Sequence, residues 1–135
     1  MNLKHKEITD LILKAFFEVY GQLGYGFLEK VYENSMVIVG RKLGLDIRQQ
    51  FPVKVHFHDH VVGEQLIDLV VNNLVITELK AVRTLLEEHE AQLLNYLKAT
   101  PFEFGLLLNF GPKPEYRSKI YDNERKGNLS WYKAV

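Results

Sequence analysis

Apolar residues recur along this chain first at helical and then at strand spacing. Ile8, Leu11, Ile12, Ala15, Phe16 and Val19 mark one helix face, and Gly21 and Gly24 punctuate its end. A second helix is predicted from about Phe27 to Lys42, with Leu28, Val31, Tyr32, Ser35, Val39 and Leu43 on related faces and Gly44 closing it. From Ile47 onward the period changes to two. Val53, Val55 and Phe57 alternate with Lys54, His56 and His58, His58-Asp59-His60 offers a turn, and Val61 to Gly63 resumes an extended course. Two β-branched apolar runs, Gln65 to Val71 and Leu74 to Ala81, flank Asn72-Asn73 and read as a hairpin. Helical spacing returns from Glu87 to Ala99 and stops at Thr100-Pro101. Phe104 to Phe110 is another apolar strand, ended by Gly111-Pro112-Lys113-Pro114, and a short last strand is predicted around Lys119 to Tyr121.

This order predicts an α/β (α+β) layered domain. The third helix lies between two strands, which suits a parallel pair joined by a right-handed crossover. At 135 residues the chain fits one domain, 1–135, with 47% apolar residues to fill its core. Cysteine is absent, which excludes disulfides, thiolate metal sites and cysteine nucleophiles, so a metal would need oxygen or imidazole ligands. The N-terminal MNLKHKEITD has no apolar signal core, and no apolar run approaches the ~18 residues of a membrane span. A soluble, cytoplasmic protein without a membrane partner is expected. Seventeen basic residues balance seventeen acidic ones. Phosphate neutralisation dominates nucleic-acid affinity, so any such contact must be local or made by an assembly, for example a homodimer or a complex with a protein partner.

The chemistry lies in the predicted hairpin. Asp68 interrupts one apolar run, and Glu78 and Lys80 interrupt the next. A charge in such a run is costly to bury unless it is paired or binds a metal. Glu78 and Lys80, two apart on a strand, point to one face. Taken alone, such a pair is what any edge strand offers to solvent. Together with Asp68 and the carbonyl of Leu79, it makes an all-oxygen site suited to Mg²⁺ or Mn²⁺. Convergence sets a geometric condition. A two-residue Asn72-Asn73 loop would pair 68 with 77 and send Asp68 and Glu78 to opposite faces, so an odd-length loop or a β-bulge is required. Further polar residues share helix faces: Glu29 with Tyr32 and Glu33 on the second helix, and Gln92 with Tyr96 on the third. A solvated flank suits Glu33 and Lys30.

The stretch Gly26-Phe27-Leu28-Glu29-Lys30-Val31-Tyr32 resembles the signature of the GxxExxY proteins, a family assigned to the PD-(D/E)XK nuclease superfamily. The resemblance continues through Asp68, Glu78-Leu79-Lys80-Ala81, His89 to Tyr96, and Leu106 to Gly111. Asp, then Glu-x-Lys, then Gln-x-x-x-Tyr is also similar to RecB-type nuclease domains. The motif's leading proline is absent, since Ile67 precedes Asp68. The resemblance implies a restriction-endonuclease-like core, a central mixed β-sheet flanked by helices. It implies that Asp68 and Glu78 are metal ligands and that Lys80 positions or activates the attacking water. Glu29 would match a helical carboxylate added to the site in some members. Gln92 would orient the active site, and Tyr32 and Tyr96 would contact nucleic acid. A metal-dependent nuclease is therefore expected, with a non-catalytic nuclease-fold module, binding nucleic acid or a protein, as the alternative. A zinc patch built from His56, His58 and His60 is a third possibility, against a solvated strand face.

Overall fold

The helical periodicity at the start of the chain folds as α1 (Lys6–Leu23) and α2 (Glu29–Lys42). They belong to a computed structural model that describes residues 5–126. The ends of the 1–135 domain assigned from sequence lie outside the described residues. Gly24 and Gly26, at φ 66° and 110°, turn the chain between the two helices, a backbone course that glycine adopts without a Cβ clash. That turn delivers Glu29 as the first residue of α2.

Five strands complete the domain: β1 (Ile47–Phe57), β2 (His60–Val71), β3 (Val75–Lys80), β4 (Phe104–Phe110) and β5 (Pro114–Ile120), with α3 (Glu87–Lys98) between β3 and β4. They lie in that order in one sheet. Every neighbouring pair is antiparallel except β3 and β4, which run parallel. The expected mixed sheet flanked by helices is thus present, with α3 as the crossover. The last strand differs from expectation, starting at Pro114 instead of Lys119 and ending before Tyr121. Its charged residues Glu115, Arg117 and Lys119 hide a strand that lies at the sheet edge, where a leading proline and charge are tolerated.

The sheet separates two apolar layers. Ile12, Phe16 and Val19 of α1 and Tyr32 and Met36 of α2 pack on Leu69, Val75, Leu79 and Leu106. On the other face, Leu93 and Leu97 of α3 pack on Val53, Ile67, Val70 and Ile76. β4 is buried along its whole length, as befits a strand covered on both faces.

The pleat of β1 and β2 is broken at one level. On β1, Ile47 packs towards α1 and α2, whereas Phe51 and Val53, at even separations from it, pack towards α3. On β2, Leu69 and Ile67 part in the same way. Both strands change face at the level of Gln50 and Asp68, between the pairs Gln49↔Leu69 and Phe51↔Ile67. Gln50 has φ 52°, a left-handed backbone that costs a non-glycine residue about 1–3 kcal/mol and clusters at functional sites.

Candidate active site

The β2–β3 hairpin meets the parity condition through a three-residue loop. Val71↔Val75, Val70↔Ile76 and Leu69↔Thr77 pair, leaving Asn72, Asn73 and Leu74 as the connection. Asn72 and Asn73 both take positive φ, 52° and 56°, which asparagine tolerates better than most residues. One step beyond Leu69↔Thr77 the same register sets Asp68 against Glu78. There the backbone ladder gives way to side chains. The Asp68 N–H donates to Glu78 Oε1 at 3.3 Å, and the Leu79 N–H donates to Asp68 Oδ2 at 2.9 Å. Because N–H and C=O of one strand residue leave by the same edge, the Leu79 carbonyl also faces this opening between β2 and β3.

Glu78 is 5% exposed, and burial is the main reason its carboxyl is pushed up to about 9. The neighbouring Asp68 charge and a carboxyl–carboxyl hydrogen bond push the same way, against the Asp68 N–H and Lys80. Lys80 shares the face of Glu78 and Ile76, towards α3. Its Nζ donates to Gln92 Oε1 at 3.2 Å, Gln92 Nε2 donates to Tyr96 Oη at 3.2 Å, and Tyr96 Oη donates to Gln65 Oε1 at 3.4 Å. Burial, and then the charges of Glu78 and Asp68, push the Tyr96 phenol up to about 12, with the Gln92 bond opposing. Tyr96 therefore stays a neutral donor beside the carboxylates.

Glu29 reaches the same neighbourhood from α2. Desolvation raises its carboxyl first, Asp68 and Glu33 add to this, and Lys80 and His89 oppose it. The first turn of α2 thus lies within electrostatic reach of Asp68, Lys80 and His89. The structure brings together Glu29, Asp68, Glu78, Leu79, Lys80, Gln92 and Tyr96.

Tyr32 departs from its expected role at the nucleic-acid surface. It is 0% exposed, stacks on Phe110 at 4.2 Å, donates to the Gly24 carbonyl and accepts from the Phe27 N–H. A nucleic acid cannot reach it, and its place is to fix the turn that leads into Glu29. Glu33 also differs from expectation. It is buried, and takes hydrogen bonds from Lys30 at 3.1 Å, Gln49 at 2.7 Å and Gln50 at 2.8 Å. Gln50 Nε2 also approaches Asp68 Oδ1 at 3.5 Å, so the strained residue of β1 bridges Glu33 to the site. Sequence reasoning missed Gln50 and Gln65; the adjacent glutamines 49 and 50 in an otherwise alternating strand were the available signal.

Below Lys80 the chain is locked in place. Asn109, fully buried and paired with Lys80 in the β3–β4 register, accepts from the Val82 N–H at 3.0 Å and donates to the Val82 carbonyl at 2.9 Å. A Cβ on Gly111 would lie 2.2 Å from that same carbonyl oxygen and 2.8 Å from Asn109 Nδ2. Gly111→Ala is expected to cost about 1–3 kcal/mol, read as a lower urea midpoint, because the obstacle is backbone and cannot rotate away.

The three histidines do not gather into a ligand set. His58, at φ 50°, sits in the turn between β1 and β2 with its ring 4.3 Å from Phe57, His60 is exposed, and His56 is half-buried. Among the described residues, no three His, Asp or Glu side chains form a ready-made metal cluster.

Residues 6–120 match the family model of the PD-(D/E)XK nuclease superfamily. Among solved structures, the one titled "Crystal structure of SSO0001" superposes with a TM-score of 0.55 at 15% identity, covering 88% of this chain and 58% of that chain. Identity that low speaks for the fold alone, and this chain spans little more than half of that protein. No curated protein gives a significant match.

Proposed function

The chain belongs to the PD-(D/E)XK nuclease superfamily, and from that premise we propose that it hydrolyses phosphodiester bonds of nucleic acid with Mg²⁺ or Mn²⁺, using Asp68, Glu78 and Lys80. The observation that carries this reading is the buried contact of Asp68 with Glu78 where β2 and β3 part. The donor chemistry fits a hard divalent cation: two adjacent carboxylates and a strand carbonyl, with the Glu78 carboxyl driven to hold its proton by burial first and by the Asp68 charge second, against Lys80. Asp68, Glu78 and the Leu79 carbonyl would hold the ion. When bound, such an ion polarises a phosphoryl oxygen and makes the attacking water more acidic.

The chain's own groups supply the rest. The Lys80 ammonium, held by Gln92, stabilises negative charge developing on the attacking water and the phosphoryl oxygens. Gln92 and Tyr96 orient Lys80 and meet the nucleic-acid backbone. Glu29 completes the acidic set from α2. Within the superfamily, the Gly26 to Tyr32 stretch supports placement with the GxxExxY proteins.

A panel of single- and double-stranded DNA and RNA, incubated with Mg²⁺ or Mn²⁺, tests the reading. Metal-dependent cleavage that EDTA abolishes supports it. The balanced charge favours a second reading, a nuclease fold retained for binding alone. Cleavage of no form by well-folded protein would decide for that one.

A further inference from the structure

The acidic site adjoins two surface features, one continuous with its Gln92–Tyr96 margin and one next to Glu29. On one side a cavity of about 340 Å³ opens between α3 and the β1–β2 hairpin, lined by Val55, Gln65, Gln92, Asn95, Tyr96 and Lys98 among others. Gln92 and Tyr96 are the residues that link Lys80 to Gln65, so the cavity begins where the site ends. Its size is at the low end of ligand pockets, ~300–1,000 Å³. Three primary amides and a phenol give donors and acceptors in both senses, Val55 is apolar, and Lys98 brings a cation. A nucleobase has the matching form: a flat apolar face and an edge of N–H and carbonyl groups. A paired base has already committed that edge.

On the other side, Tyr25 and Phe27 are 60% and 49% exposed. With Arg83 and Val82 they border a shallow depression that adjoins Glu29 at one margin and the chain just after Lys80 at the other. Exposed rings beside a guanidinium suit successive unstacked bases, whatever their sequence. The charge balance points the same way. With seventeen residues of each sign, the protein gains little from the dense phosphates of a duplex, and stacking and base edges remain as the source of affinity.

We propose that the substrate is single-stranded nucleic acid, its backbone crossing Asp68, Glu78 and Lys80 with one unstacked base in the Gln65–Asn95–Tyr96 cavity and bases on the other side stacked on Tyr25 and Phe27. This rests on the nuclease reading of the site and specifies its substrate. The test is fluorescence anisotropy in EDTA, so that binding is read without cleavage. Probes are single-stranded DNA, single-stranded RNA and a DNA duplex of about 16 nucleotides, the upper end of a single-strand site size. Either single strand should bind at least about ten-fold tighter than the duplex, and the difference between the DNA and RNA arms reports the sugar preference. Asn95→Leu, an exposed helix position where leucine fills the cavity mouth without opposing the helix, should weaken single-strand binding about five-fold or more, as should Tyr25→Ala. Duplex binding and melting temperature should not change in either variant. Equal affinity for the duplex, unchanged single-strand binding by both variants, or binding of no probe would overturn the proposal. Cleavage by the wild type is scored separately with Mn²⁺. Cleavage without single-strand preference overturns this inference alone, and single-strand binding without cleavage of any form overturns only the catalytic reading.

Discussion

Lys80→Ala is expected to lower metal-dependent cleavage by about 10²–10³-fold, the usual cost of removing one group that stabilises transition-state charge, while Mn²⁺ still binds. The two effects separate because Lys80 contributes no oxygen to the acidic set. Its side chain lies on the same strand face as Glu78, and its ammonium is held through Gln92. A missing cation also leaves Glu78 and Glu29 with less to offset their charge, since Lys80 lowers both carboxyls. Mn²⁺ binding by the variant should therefore shift to higher pH without being lost. Initial rates on an oligonucleotide and calorimetric titration with Mn²⁺ read the two effects. Gln92→Leu should fall between variant and wild type, because it frees the lysine without removing it. A Lys80→Ala protein that cleaves at the wild-type rate would place the chemistry elsewhere.

Much of this arrangement is legible in the sequence, for physical reasons. Strand parity ties Asp68 to Glu78 only through an odd connection, so the length of the Asn72–Leu74 loop follows from the demand that two carboxylates meet. The order of helices and strands likewise follows from periodicity. Three things do not. Period-two counting assumes an unbroken pleat, and the left-handed Gln50 breaks it, turning both strands over at the site. Helical spacing says that Glu29, Tyr32 and Glu33 share a flank, but not where the boundary of the core falls. It falls so that Tyr32 and Glu33 are buried and Glu29 is not. Edge strand β5 carries alternating charge in place of alternating hydrophobicity, so its first half has no apolar signal. In each case tertiary contacts decide something the local pattern leaves open.

Without metal, the folded protein is expected to lose stability as pH rises from 4.5 towards about 9, the interval between the ordinary and the folded-state value of Glu78. The sign follows from proton counting. Below that interval the Glu78 carboxyl is neutral folded and unfolded, and titrating it costs nothing. Within it the unfolded chain has released the proton while the buried side chain keeps it, so each pH unit favours unfolding by about 1.4 kcal/mol. The accumulated loss, on the order of several kcal/mol at the upper end, is large against the ~5–15 kcal/mol of a typical domain. Glu29 titrates in the same direction, so the comparison that isolates Glu78 is wild type against Glu78→Gln. The amide keeps the shape without the charge, and should flatten the pH dependence and make the metal-free variant more stable than wild type at the alkaline end. Mn²⁺ should reverse the order. An ion bound only by the folded state adds about 2.7 kcal/mol at a hundred times its dissociation constant, and only the wild type has the second carboxylate to hold it. Urea denaturation across the interval, with EDTA or with Mn²⁺, measures all four curves. If wild type and Glu78→Gln run parallel in EDTA, the buried carboxyl carries no excess proton. If Mn²⁺ stabilises both proteins equally, Glu78 is not among its ligands.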